Sequence, residues 1–359
     1  MPHATSLAPC LRLPIELIII ILLFLKWELI YQWEETSRQD WYRKPLQWLP
    51  AAQFCQLWRD AAVKHSAQLW NTVDIKPPFI TPAQLLDWLQ RTKGAPLDLS
   101  FPNYSYSIPS NLIGVLAPAA QRLVSLNVPS LAGLSSFFLA PLPALKTLRV
   151  LDGKDSSLIA AAPFPNLKVL DLRWTMPLPD ISQLFSLTTL TVSNLVLPPN
   201  VSFSQFAHIL SLLPCFESLT VYDLLPSIQP YTGTKAERPA LKALNRLTLF
   251  DYSSTNVGIF LTWFTIPFPL KRLVLGSHDW VGLQEGVDIA TMLQQLIPLD
   301  ADERHVGLIN TANHLNLNLL SEEHLMCIIT IWHEVSPWMT EPAGPPTEIV
   351  QLTLDFEDR

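Results

Sequence analysis

The residues best suited to chemistry in this chain are its histidines, cysteines, serines and carboxylates, and their spacing does not bring them together. None of the eight histidines stands in H-E-x-x-H or another metal-ligating pattern; His333-Glu334 has no second histidine four residues on, and His324 lies nine residues back. Ser277, His278 and Asp279 are the residue types of a hydrolytic triad, but consecutive residues cannot converge their side chains as a triad requires. No G-x-S-x-G elbow or phosphate-cradling glycine motif occurs, and the chain has only 11 glycines. Cys10, Cys55, Cys215 and Cys327 form no C-x-x-C pair, so neither a zinc site nor a disulfide framework is expected. Cys55 and Cys215 read as small buried apolar residues in a reducing compartment. The expectation is a non-enzymatic chain without metal or cofactor, whose work is recognition.

Recognition needs elements that hold side chains in place, and the composition allows them. The 359 residues are 49% hydrophobic and 15% charged, which favours extensive burial and leaves room for a small module plus a larger domain. The net charge of -7 and the lack of a dense Lys/Arg block argue against a nucleic-acid partner. The apolar run Ile15 to Leu25 is about half the roughly 20 residues a membrane span needs, contains Glu16, and is closed by Lys26 and Glu28. Residues 1–10 carry no Lys or Arg and are expected to be disordered; no small-residue cleavage site follows the run, so no signal peptide is expected.

Pro14 and Glu16 suit the first turn of a helix. On that helix Leu17, Ile21 and Leu25 form one stripe, with Ile18 and Leu22 beside it. Ile19, Ile20 and Leu23 face the other way and are also apolar, so the helix must be covered on two sides. The cover is either a partner or the domain that follows. Residues 26–45 read as an extra helical turn or two and then a loop ended by Pro45, an insertion over 27–45. A second helix is expected from about Leu49 to Val63, burying Phe54, Leu57, Trp58, Ala61 and Ala62.

Leu13, Pro14, Glu16, Leu17, Ile21, Leu22 and Leu25 keep the order L-P-x-E-L-x-x-x-I-L-x-x-L, and Cys55, Trp58, Arg59, Leu69 and Trp70 keep C-x-x-W-R followed by L-W. Residues 11–75 therefore resemble an F-box. Thr81 to Phe101, in which Thr81 and Pro82 suit the start of a helix and Gly94 its end, resembles the helix, R-x-x-x-x-P-L turn and strand that follow the F-box in many fungal F-box proteins. The resemblance implies a docking module for a Skp-type adaptor and, through it, a cullin. It implies adaptor contacts from Leu13, Pro14, Leu17, Ile18, Ile20, Ile21, Leu22, Leu69 and Trp70.

Beyond residue 97 a phrase L-x-x-L-x-L recurs. Its middle leucines, Leu126, Leu148, Leu170, Leu190, Leu219, Leu247 and Leu273, are separated by 22, 22, 20, 29, 28 and 26 residues. These steps match leucine-rich repeats, with a period of about 20–29 residues. The expected fold is α+β with repeats: the F-box helices, then a linker helix and an irregular leucine-rich-repeat-like α/β solenoid over residues 76–359. PLDLSF at 96 and IVQLTLDF at 349 would be its first and last strands. The asparagine that normally follows the strand is replaced by Gly153, Thr175 and His278 in three repeats, and an ordinary mixed sheet with helices on one side uses the same spacing.

Alternation along each phrase places Lys146, Arg149, Lys168, Asp171, Arg246, Lys271 and Arg272 on an open face with Asn127, Thr191, Glu217, Thr220 and Thr248. Six of these are basic and two acidic, so the face is expected to prefer an acidic or phosphorylated client, unless it is only a solvated surface. The sequence thus reads as the substrate-recognition subunit of an SCF-type (cullin-RING) ubiquitin ligase in the cytoplasm or nucleus. The alternative is a repeat scaffold whose F-box-like segment is structural.

Overall fold

A computed structural model describes residues 13–36, 48–75, 80–101, 108–131, 134–138, 141–152, 159, 164–173, 181–195, 202–224, 231–233, 237–251, 254–265, 272–277, 314–320, 326–332 and 349–355. Residues 1–10, 37–45, Lys271, His278, Asp279, His324, His333 and Glu334 lie outside this set, as do Gly153 and Thr175. The chain divides into two compact units, Met1–Leu148 with Ala162–Phe164, and Arg149–Ala161 with Pro165–Arg359.

The first unit opens with α1 (Ile15–Thr36), whose backbone bond from the Ile18 N–H to the Pro14 carbonyl (3.1 Å) fixes the start expected from the proline. It continues through Thr36, so the extra helical turns expected at the start of the 27–45 insertion form and run somewhat further than the one or two expected. The expected second helix is broken into α2 (Leu49–Ala52), α3 (Gln56–Asp60), a π-helical turn (Ala61–His65) and a 3-10 turn (Ala67–Leu69). Cys55 is extended (φ −152°, ψ 171°) at the break, and Phe54, expected to be buried, is 69% exposed. Small Ala52, Ala61 and Ala62 are what reach the core.

A βαβ unit follows: β1 (Thr72–Asp74) and β2 (Leu97–Ser100) pair in parallel, with α4 (Pro82–Arg91) between them. Thr81 and Gln84 form a reciprocal capping box at the start of α4, and Pro82 occupies its first turn, where no N–H is needed. Past the C-cap Thr92, Lys93 (φ 46°) and Gly94 (φ 83°) both take left-handed conformations that end it. The Arg122 guanidinium donates to the Leu89 and Ala95 carbonyls (3.3 and 3.0 Å), which places a cation at the negative end of the helix. After α5 (Ser110–Leu116), β3 (Leu123–Ser130) joins β2 in parallel with Leu126 opposite Leu99, and α6 (Ser135–Phe138) follows.

The unit boundary falls within β4 (Thr147–Asp152). Then come β5 (Val169–Leu172), β6 (Thr189–Leu195), α7 (Phe203–Leu212), β7 (Ser218–Leu224), β8 (Arg246–Asp251), α8 (Ser254–Thr262) and β9 (Arg272–Ser277). The repeated leucines are neighbours in register: Leu170, Leu190, Leu219, Leu247 and Leu273 form one buried row, and Leu172, Val192, Val221, Leu249 and Leu275 the next. Phe203 and Phe206 on α7, Phe260 on α8, and Trp263 and Phe264 just beyond it meet at ring-centroid distances of 5.1–6.3 Å.

The expected solenoid is not what forms. Nine strands, β1 to β9, run parallel in chain order in one open sheet, with α4, α5, α6, α7 and α8 in five of the crossovers among the described residues, an α/β fold. Past β9 the chain turns back: β10 (His314–Leu320), β11 (Met326–Trp332) and β12 (Ile349–Asp355) add in the order β11-β10-β12, all antiparallel. The strand at 349 is therefore an antiparallel edge rather than a last repeat. Any parallel strand needs a crossover of a dozen or more residues to its neighbour, so a leucine period of 20–29 residues suits an α/β sheet as well as a solenoid.

Candidate functional site

Two surfaces carry the candidate residues. On the helical module, α1 is apolar all round, and its burial shows which side is which. Ile18 and Leu22 are fully buried against Trp48, Ala52, Ala61, Ala62, Leu69 and Trp70. Leu17, Ile20 and Phe24 are 46, 59 and 62% exposed and lie at i, i+3 and i+7, one stripe on the opposite side. The buried stripe is thus turned one residue from the expected Leu17-Ile21-Leu25. Its third member is Lys26, 4% exposed, whose ammonium donates to the Gln68 carbonyl (2.8 Å), the Leu69 carbonyl (3.4 Å) and Asn71 Oδ1 (2.6 Å). That bond set ties the two halves of the motif together, and a lysine closing an apolar run gave no signal of it.

Of the expected adaptor contacts, Pro14, Leu17 and Ile20 are exposed, while Leu13 and Ile21 are half-buried. Ile18, Leu22, Leu69 and Trp70 are buried in the core of the module. Trp70 Nε1 donates to the Ala62 carbonyl (2.9 Å), and its ring meets Trp48 and Trp88 edge-on at 5.1 and 5.9 Å. The Arg91 guanidinium lies 4.7 Å from the centre of the Trp70 ring, and Trp88 Nε1 donates to the Trp70 carbonyl (2.7 Å). The L-W pair therefore anchors the module to α4.

The second surface is the sheet face opposite the leucine rows in the second unit. Register places Asp171, Thr191, Thr220, Thr248 and Val274 side by side, with Val169, Thr189, Ser218, Arg246 and Arg272 in the adjacent row. Asp171 is 7% exposed and accepts from Arg173 Nε (3.3 Å). Burial pushes its carboxyl above the usual range, against the pull of Arg173 and Arg149. The buried Arg149 Nε makes no hydrogen bond. Asp171 and Val274 are buried in one row, Leu151 and Phe250 are buried further along the strands, and Tyr222 stacks on Phe250 at 5.3 Å.

Parity corrects the expected face. Lys146 and Lys168 share the parity of Leu148 and Leu170 and sit one residue before β4 and β5, so they are exposed at the strand entrances rather than on the polar face. Arg149, Asp171, Arg246 and Arg272 alternate onto the polar face. Arg173, two residues past Asp171, was missed because the phrase ends at Leu172. Cys215, expected to be buried, is exposed.

Among the described residues no group of three or more His, Cys, Asp or Glu could hold a metal ion, and no helix is long and apolar enough to cross a membrane. The chemistry these surfaces offer is apolar docking on α1 and anion binding by arginine on the sheet. No protein-family model matches the chain, and no curated protein matches it.

Proposed function

We propose that the chain is the substrate-recognition subunit of an SCF-type ubiquitin ligase, with the helical module docking on a Skp-type adaptor and the second unit's sheet holding a client protein. The observation that carries this reading is the apolar stripe Leu17, Ile20 and Phe24, solvent-facing on a helix whose other side is fully buried, within a segment that keeps F-box order. A helix with two apolar sides and only one of them packed in its own core has a docking side left over. The chain itself does no chemistry in this mechanism. It raises the effective concentration of client lysines near a ubiquitin-charged enzyme carried by other subunits, in the cytoplasm or nucleus.

Reconstitution tests it. The purified chain, a Skp-type adaptor and a cullin-RING pair should co-elute as one complex on gel filtration. Adaptor binding without cullin recruitment would leave a scaffold, and no adaptor binding would remove the docking role.

A further inference from the structure

Four strands of the second unit are entered through a repeated two-residue turn. Pro165-Asn166, Phe185-Ser186, Pro214-Cys215 and Lys242-Ala243 precede β5, β6, β7 and β8, followed by the buried Leu167, Leu187, Phe216 and Leu244. Backbone bonds set these entrances side by side. The Lys168 carbonyl accepts from the Thr188 and Thr189 N–H groups (2.8 and 2.9 Å), that of Thr188 from Glu217 and Ser218 (both 2.9 Å), and that of Glu217 from Asn245 and Arg246 (2.7 and 3.0 Å). The first residue of each of the four turns is exposed. Proline suits that position because its fixed φ matches the turn, and lysine keeps its charge in water. Phe185 has neither reason, yet it is 58% exposed. Leu212, which ends α7 two residues before Pro214, is 55% exposed at the neighbouring entrance. Large apolar side chains left outside at adjacent entrances mark a contact surface.

The charges around this pair are ordered. Over residues 165–168, 185–188, 214–217 and 242–246 the charged side chains are Lys168, Lys242 and Arg246 against Glu217, all exposed: three cations less one anion, or +2, in a chain of −7. Lys168 stands at the β5 entrance, Lys242 and Arg246 at that of β8, and Glu217 at that of β7 between them. From β5 to β8 is three strand spacings of about 4.8 Å, or roughly 14 Å. An extended peptide covers about 13 Å in four residues, and its residues i, i+2 and i+4 lie on one side. We propose that this edge docks an extended client segment of the pattern acid-x-apolar-x-acid, its central side chain on Phe185 and Leu212, one carboxylate at Lys168 and the other at Lys242 and Arg246. Glu217 repels an acid at the centre and so favours the apolar residue there. A nucleic acid or an anionic membrane fits less well, because either brings negative charge against Glu217 too. The identification of the ligand as a client rests on the receptor reading above; the binding itself does not.

The test uses the full chain and fluorescein-labelled Gly/Ser peptides with a central Glu-Ser-Leu-Ser-Glu or its shifted form Glu-Leu-Ser-Ser-Glu, with anisotropy as the readout. The first puts all three side chains on one side and should bind about tenfold tighter than the second. Phe185→Ser should lose about tenfold, while Leu86→Ser, which removes an exposed leucine of α4, should stay within about twofold. Lys168→Glu with Lys242→Glu should reverse the preference, rejecting the glutamate peptide and taking up Lys-Ser-Leu-Ser-Lys, a gain that misfolding cannot imitate. Equal binding of the shifted peptide, an unaffected Phe185→Ser, or a charge-reversed variant without the lysine preference would overturn the proposal. So would a Phe185-dependent dimer on gel filtration that binds no peptide, which would make the occupant a second copy of the chain. Failure here with adaptor binding intact sinks this inference alone; intact peptide binding without adaptor binding sinks only the receptor reading.

Discussion

Asp171 sits where burial and two arginines compete, and burial wins. Its folded proton affinity is raised, so the folded state holds a proton at pH values where the unfolded chain has released it. Stability should therefore fall as pH rises from the usual aspartate range through the raised value. Urea midpoints measured from pH 4 upward should show that decline in the native chain and a flatter profile in Asp171→Asn; parallel profiles would mean that the arginines cancel burial, and a native profile rising with pH that they outweigh it. Lys26 presents the opposite case, a buried cation satisfied by three neutral oxygens. Lys26→Met strands those acceptors and should lower stability by about 1–3 kcal/mol, seen as a reduced urea midpoint. An unchanged midpoint would show that the latch contributes nothing net. Neither role was legible in the sequence. Lys26 looks like the charge that ends an apolar run, and Asp171 like any polar residue of a strand, because burial of a charge is decided by residues far away in the chain.

Elements were easier to read where the signal is local. Thr81, Pro82, Gln84 and Gly94 mark both ends of α4 by chemistry confined to one turn, and Thr81→Ala should cost about 1 kcal/mol, measurable by chemical denaturation. The strands were legible from L-x-x-L-x-L, and their leucines do share register: Leu219 lies between Leu190 and Leu247 with no exposure. Leu219→Ala should cost about 2–5 kcal/mol, and a cost below 1 would mean that the row is loosely packed. Strand spacing left the architecture open, since period alone does not distinguish a solenoid from an open α/β sheet. The stretch after Ala52 was misread because helix breaks such as the one at Cys55 depend on which small residues must approach α1. The face assignment failed at Lys146 and Lys168 for a simpler reason: two consecutive residues between leucines cannot both face away from them.

At the scale of the whole molecule, the packed residues and the exposed candidate surfaces are different sets. Its leucine rows and aromatic cluster hold the fold, and its two distinctive surfaces, an apolar helix face and an arginine-bearing sheet face, are unlike each other in chemistry. Composition already indicated a chain with extensive burial, but only the structure could show which apolar side of α1 is left outside. The measurement that bears most directly on the receptor reading is co-purification with a Skp-type adaptor of the native chain beside Leu17→Ser/Ile20→Ser/Phe24→Ser, with circular dichroism confirming that the variant keeps its fold. The native chain should hold the adaptor and the variant should lose it. A folded variant that binds as well as the native chain, or a native chain that does not bind, would contradict the assignment of this helix face as the docking surface.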